Sequence, residues 1–124
     1  FYGSVTCAKI INAHTDDRIK AVISQKVISE LIRNIEKKLP RVLPRLQRLL
    51  LNTPPEIVSD PENIDRRFTN LVHTKDQIIF SAAFLTKVDY FITGNTKDFH
   101  VKKLEKITGI KILTPKDAVS LLDL

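Results

Sequence analysis

Short apolar runs alternate along the chain with longer segments whose apolar residues recur at helical spacing. The apolar runs are rich in β-branched residues and predict strands at 18–24, 90–93 and 110–113, with a further short strand at 56–58. Helical spacing predicts helices at 4–14, 24–38, 44–50, 61–71, 75–87 and 101–108, and a last one from 115 onward. Strands that alternate with amphipathic helices predict an α/β fold, a three-layer α/β/α arrangement whose parallel sheet is covered on both faces.

Residues that favour helix starts support several of these boundaries. Ser4, Thr74 and Thr114 stand where a side-chain oxygen would cap the first backbone N–H groups of the following helix. Pro44 and Pro115 suit a first helical turn, where the missing N–H costs nothing. The predicted helix starts therefore depend on local capping signals as well as on the spacing of apolar residues.

The composition narrows the class of protein. A chain of 124 residues with 43% hydrophobic residues has room for one domain, so we expect a single domain over 1–124. No apolar run is long enough to cross a membrane, and one cysteine, Cys7, cannot form an internal disulfide. We therefore expect a cytoplasmic protein without a membrane partner. The sequence contains no methionine, so we expect the natural chain to begin upstream of Phe1.

Net charge and glycine content bear on the partner. A formal charge of +6 favours polyanionic partners such as RNA. Basic residues recur at helical spacing at Arg41, Arg45 and Arg48, and a second group follows residue 96: Lys97, Lys102, Lys103 and Lys106. These residues fit either an RNA path or a solvated helix face. Three glycines cannot form a glycine-rich phosphate loop.

Three acidic residues are predicted at strand ends or helix starts. Glu30 lies early in the helix after the first strand, Asp76 opens the 75–87 helix, and Asp98 follows the 90–93 strand. One helix and one strand separate Asp76 from Asp98, so the chain returns them to the same edge. Converging carboxylates repel one another or bind a cation, and hard oxygen ligands select Mg²⁺ or Mn²⁺. A cation there could activate water against a phosphodiester.

Each of these carboxylates also has an ordinary structural explanation. Asp76 could serve only as a negative charge at a helix N-terminus, and Asp98 could serve only to cap the helix that follows. Glu30 could be a solvated residue paired with Arg33 or Asn34. Spacing alone leaves both readings open.

A family resemblance favours the catalytic reading. The segment LVHTKDQIIFSAAFLTKVDYFITGNTKDF at 71–99, followed by GIKILTP at 109–115, resembles the C-terminal half of PIN-domain proteins. The resemblance is to the toxin branch near the VapC-type ribonucleases, and AVISQKVISELI at 21–32 resembles the family's second strand and glutamate helix. It implies a metal-dependent endoribonuclease that uses Mg²⁺ or Mn²⁺ to hydrolyse RNA. It also implies an antitoxin protein that blocks the site, and frequent homodimers.

The resemblance assigns roles residue by residue. Glu30, Asp76 and Asp98 match the metal-binding acidic positions, and Thr93 and Asn95 match the hydroxyl and polar positions after the strand. The chain departs from the pattern in two ways. The family's first central strand, which ends in the principal aspartate, has no counterpart after Phe1, and Asn95 stands where a carboxylate is frequent. We therefore expect the 124-residue chain to bind metal poorly and to show little ribonuclease activity.

Two other classes of protein remain as alternatives. A catalytically inactive PIN-like module that binds RNA or a protein partner is favoured by the absent first aspartate and by Asn95. A receiver-type regulatory domain needs a phosphoacceptor aspartate at a strand end, and no predicted strand here ends in one.

Overall fold

Six α-helices and four short strands form the fold of residues 5–124. A computed structural model describes residues 5–124. The helices are α1 Val5–Thr15, α2 Gln25–Lys38, α3 Leu43–Asn52, α4 Gln77–Thr86, α5 Val101–Thr108 and α6 Pro115–Leu121. The strands are β1 Val22–Ser24, β2 Glu56–Val58, β3 Tyr90–Ile92 and β4 Lys111–Leu113. Helices and strands alternate, so the predicted α/β class is confirmed.

The strands form two separate parallel pairs. β1 pairs with β2, with Ile23 opposite Ile57, and β3 pairs with β4, with Phe91 opposite Ile112. The α2–α3 segment connects the first pair and α5 connects the second, as parallel pairing requires a crossover. Within residues 5–124 the two pairs are not joined into one sheet. The predicted parallel pairing is confirmed, whereas one continuous sheet is not observed.

The main core lies between α4, α5 and the β3–β4 pair. Its fully buried members include Phe68, Phe80 and Leu104. The Phe80 ring meets the Phe68 ring edge-on at 5.1 Å and the Phe91 ring at 5.2 Å between centroids. Phe99 packs into the same cluster, so the chain segment that carries Asp98 is anchored by its neighbour.

Local sequence signals placed several elements correctly. β2 and α5 have the predicted bounds. The predicted Thr114 cap of α6 forms, since its hydroxyl accepts from the Asp117 N–H at 3.1 Å. The Ser24 hydroxyl, which is not among the predicted caps, caps α2 by accepting from the Val27 N–H at 3.2 Å. The predicted Ser4 cap lies outside the described residues. No helix within residues 5–124 has the length and apolar character needed to span a membrane.

The predicted helix at 61–71 is wrong. Only one turn of 3₁₀ helix forms in this interval, at Arg66–Phe68. Asp65 has an extended backbone with a ψ of 123°, which interrupts a continuous helix. Its carboxylate starts the turn by accepting from the Arg67 N–H at 3.0 Å and pairing with the Arg67 guanidinium. Phe68 alone is buried and ties the turn to the core.

Two other predicted elements are shorter than expected. Asp17 has a φ of 62°, and the Arg18 N–H bonds back to the Ala13 carbonyl, so the first strand begins only at Val22. The α4 helix begins at Gln77 because residues Thr74–Asp76 form a 3₁₀ turn instead. The His73 side chain caps that turn, which corrects the predicted Thr74 cap.

A histidine joins the N-terminal helix to the first strand pair. The Nδ1 atom of His14 accepts from the Ala21 N–H at 3.2 Å, and its Nε2 atom contacts the Thr53 carbonyl at 2.9 Å. One imidazole thus satisfies backbone groups at the start of β1 and at the end of α3.

Candidate functional site

Two distant chain segments are held side by side around the candidate site. Val72 and Phe99 form an isolated antiparallel bridge. On either side of it, the His73 N–H bonds to the Asp98 carbonyl at 2.8 Å, and the His100 N–H bonds to the Leu71 carbonyl at 2.7 Å. Val72 and Phe99 are buried, so packing and backbone hydrogen bonds together fix the separation of the two segments.

Asp76 stands at the junction of the 3₁₀ turn and α4. Its N–H bonds to the His73 carbonyl at 2.8 Å, which fixes the turn. Asp76 occupies the N-cap position of α4, but its carboxylate makes no capping hydrogen bond. The carboxylate instead interacts with that of Asp98, which contributes to raising its pKa. Capping therefore does not explain the side chain, which faces the second acidic residue.

Asp98 closes the 3₁₀ turn Thr96–Asp98 that follows β3. Its carboxylate accepts from the Asn95 side-chain amide at 2.8 Å and from the Lys75 ammonium at 3.2 Å. The side chain is only 17% exposed. His100, not Asp98, occupies the N-cap position of α5, so a capping role for Asp98 is also ruled out.

The two carboxyl groups have opposite pKa shifts. Burial raises the pKa of Asp76, and the hydrogen bond and negative charge of Asp98 raise it further. Burial also acts to raise the pKa of Asp98, but the hydrogen bond and charge of Lys75, followed by the hydrogen bond with Asp76, outweigh it. The net pKa of Asp98 is therefore lowered. Asp98 is the carboxylate that stays ionised, and Asp76 is the one that takes up a shared proton first.

Thr93 and Asn95 support Asp98 from the same loop. The Thr93 N–H bonds to the Leu113 carbonyl at 2.9 Å, which continues the β3–β4 pairing. The Thr93 hydroxyl accepts from the Asn95 N–H at 3.2 Å, and Asn95 in turn donates to Asp98. The structure thus brings four of the five predicted site residues into one connected arrangement.

Glu30 does not join the other acidic residues in a metal-binding group. Its side chain is exposed on α2, and no three His, Cys, Asp or Glu residues within 5–124 cluster tightly enough to hold a metal ion. The start of α2 nevertheless lies beside the site, because the Lys26 ammonium reaches the Lys75 carbonyl at 3.5 Å. Glu30 follows Lys26 by one helical turn on the same face. Its role as a third ligand stays a prediction.

Sequence reasoning missed two residues that shape the site. Lys75 forms the only ion pair that Asp98 makes among the described residues. Gln77 is buried and donates to the Thr69 and Val72 carbonyls, each at 3.0 Å, which secures the segment before His73. The sequence does not indicate that Lys75 pairs with Asp98, because the two residues are far apart in the chain.

A shallow hollow of about 310 Å³ opens beside Asp98. Its lining includes His73, Lys97 and Asp98. The hollow can admit a small polar ligand or a phosphate group to the edge of the carboxylate pair. The paired carboxylates offer hard oxygen donors, and Lys75 offers a positive charge beside them.

No protein-family model, curated protein or solved structure matches this chain.

Proposed function

We propose that this chain is a metal-dependent endoribonuclease of the PIN type, which hydrolyses RNA phosphodiester bonds at the Asp76–Asp98 pair. The observation that carries the proposal is the approach of these two carboxylates, one with a raised and one with a lowered pKa. Neither side chain caps a helix. Two interacting carboxylates whose positions are not explained by helix capping are typical of a functional site.

The donor set fits Mg²⁺ or Mn²⁺. Both metal ions prefer oxygen ligands, and Mg²⁺ is commonly held by one or two carboxylates with waters and substrate phosphates completing its shell. Asp76 and Asp98 would hold the ion, and Glu30, one turn beyond Lys26, would supply a third carboxylate. When bound, the ion polarises a phosphoryl oxygen and lowers the pKa of a bound water.

The chain's own residues would position the reacting groups. Asn95 donates to Asp98 and fixes the direction of that carboxylate, while the Thr93 hydroxyl fixes Asn95. Lys75 balances the charge of Asp98 before a cation arrives. Its exposed ammonium can then turn toward a phosphate, since the side chain is 61% exposed.

Family membership is part of the same proposal. The two parallel strand pairs flanked by helices support the three-layer arrangement of PIN domains. An antitoxin protein that covers the site, a homodimer and a cytoplasmic location follow from the family resemblance and are proposed with it.

One observation favours a second candidate, a PIN-like module that binds RNA or a protein without cleaving. The Lys75 ammonium already lies 3.2 Å from Asp98, on the oxygens that a metal ion would need. Only two carboxylates meet among the described residues, which is fewer than a tightly held ion usually has.

RNA cleavage decides between the two candidates. The assay follows a labelled single-stranded RNA with Mg²⁺, with Mn²⁺ and with EDTA. The hydrolase predicts slow cleavage that requires the metal and that falls at least about tenfold in Asp76→Asn and in Asp98→Asn. Asp16→Asn, at an exposed carboxylate paired with Arg18, is the control and should cleave like the unmodified chain. Absence of metal-dependent cleavage would leave the binding module.

A further inference from the structure

A second hollow continues from the one over Asp98. It has a volume of about 570 Å³, and its lining includes Lys97, His100, Lys102 and Lys103. The two hollows share Lys97, Phe99 and His100. A ligand that lies over Asp98 can therefore extend along the surface into the second hollow, here called the lysine hollow.

The lysines of this hollow carry uncompensated charge. Their side chains are exposed, and none of them takes part in the four ion pairs found within residues 5–124. Three positive charges without carboxylate partners surround one concave surface. Such a surface raises the local concentration of a polyanion.

Two of these lysines, Lys102 and Lys103, stand at positions where their charge does not stabilise α5. Both residues stand in the first turn of α5, and that turn contains no acidic residue. Positive charge is unfavourable there because the N-terminal end of a helix is itself partly positive. Lys37 and Lys38 provide the contrast, since they stand in the last turn of α2 where the same charge is stabilising.

The hollow offers no exposed Phe, Tyr or Trp ring on which a base could stack. Phe99, the aromatic residue in its lining, is 8% exposed and belongs to the core. Contacts there would be made to phosphates and would carry little sequence information.

We propose that the lysine hollow binds the backbone phosphates of single-stranded RNA and leads the strand to the Asp76–Asp98 pair. Lys97, Lys102 and Lys103 are the phosphate-binding residues. The inference rests on the proposed function for its substrate, and it adds where the strand lies and how it is held. Binding is electrostatic, tolerant of sequence and steeply dependent on salt.

The experiment measures binding without cleavage. Fluorescence anisotropy of a labelled oligouridylate is recorded in EDTA for the whole chain, for Lys102→Ala/Lys103→Ala and for the matched control Lys37→Ala/Lys38→Ala. The hollow variant should bind about tenfold more weakly at moderate salt, and the slope of log K against log salt should become shallower by about 1.4. The control should stay within about twofold, and circular dichroism verifies that both variants fold.

Three outcomes would overturn the inference: equal weakening by both lysine pairs, no effect of the hollow variant, or equally tight binding of polyglutamate. Single-stranded DNA of the same length should bind within about threefold, because the contacts are to phosphates. Cleavage and binding separate the two proposals. RNA binding through the hollow without cleavage removes the hydrolase alone, and cleavage with unchanged binding by the hollow variant removes the lysine hollow alone.

Discussion

The carboxyl groups of Asp76 and Asp98 interact with each other and shift each other's pKa, although a helix and a strand separate the two residues along the chain. The contact depends on the Val72–Phe99 bridge and on the hydrogen bond from the His73 N–H to the Asp98 carbonyl. Burial of two carboxyl groups together costs stability unless a cation compensates it. The predictions below follow from that relationship and from the residues that maintain it.

Substitution of each carboxylate should affect the free energy of unfolding in opposite directions at neutral pH. A carboxyl with a raised folded pKa, such as Asp76, contributes stability below its unfolded pKa and loses it as pH rises through the folded value. Asp76→Asn should therefore be more stable than the unmodified chain at neutral pH, by on the order of 0.5 kcal/mol after solvent screening, and this gain should vanish by about pH 3.

The pKa shift of Asp98 has the opposite effect on stability. Its lowered pKa contributes stability above the unfolded value, and that contribution is lost as pH falls through the folded value. Asp98→Asn should thus be less stable at neutral pH. Urea unfolding in metal-free buffer at neutral and acid pH measures both variants. A shift of both in the same direction would contradict the pairing.

Removal of the Lys75 charge should strengthen metal binding. The ammonium lies 3.2 Å from Asp98 and competes with a divalent cation for the same oxygens. Lys75→Met should raise the affinity for Mn²⁺ about thirtyfold, because a unit charge and a divalent cation about 4 Å apart in water repel each other by about 2 kcal/mol. Titration calorimetry measures it, with Lys38→Met at the end of α2 as the control. Weaker binding in Lys75→Met would show that the lysine supports the metal site.

Part of the fold and the placement of Asp76 and Asp98 could be predicted from the sequence. The α5 and β2 bounds and the Thr114 cap are local signals, which depend on a few adjacent residues. The shared edge of Asp76 and Asp98 followed from the alternation of strands and helices. Both carboxylates are therefore recognisable as candidates from the order of elements alone.

Other features depend on contacts that no local pattern records. Apolar spacing at Ile64, Phe68 and Leu71 matched a helix, but the Asp65–Arg67 pair favours a turn. The Lys75–Asp98 pair joins residues far apart in sequence, so neither residue predicts the other.

Gln77 should be required for stability although it is not an apolar core residue. It is 6% exposed and its amide donates to the Thr69 and Val72 carbonyls. Gln77→Met keeps the volume and leaves both carbonyls without this donor, which should cost about 1 to 3 kcal/mol. Chemical denaturation measures the loss against Gln47→Met at an exposed position in α3. Equal stability of the two variants would refute this role.

His14 should stabilise the first strand pair through both ring nitrogens. Replacement by phenylalanine preserves most of the ring and removes the contacts to Ala21 and Thr53. We expect a loss of about 1 to 2 kcal/mol in the free energy of unfolding. His100→Phe, at an exposed histidine, is the comparison. The role is refuted if His14→Phe unfolds at the same denaturant concentration as the unmodified chain.

The most direct test of the carboxylate pair as a metal site is Mn²⁺ titration of the ¹⁵N-labelled protein by NMR. Paramagnetic broadening should begin at the amide signals of Lys75, Asp76, Asp98 and their neighbours, and Asp76→Asn should reduce it. Broadening that begins at other exposed carboxylates, such as Asp16 or Glu62, with these signals unchanged, would contradict the account.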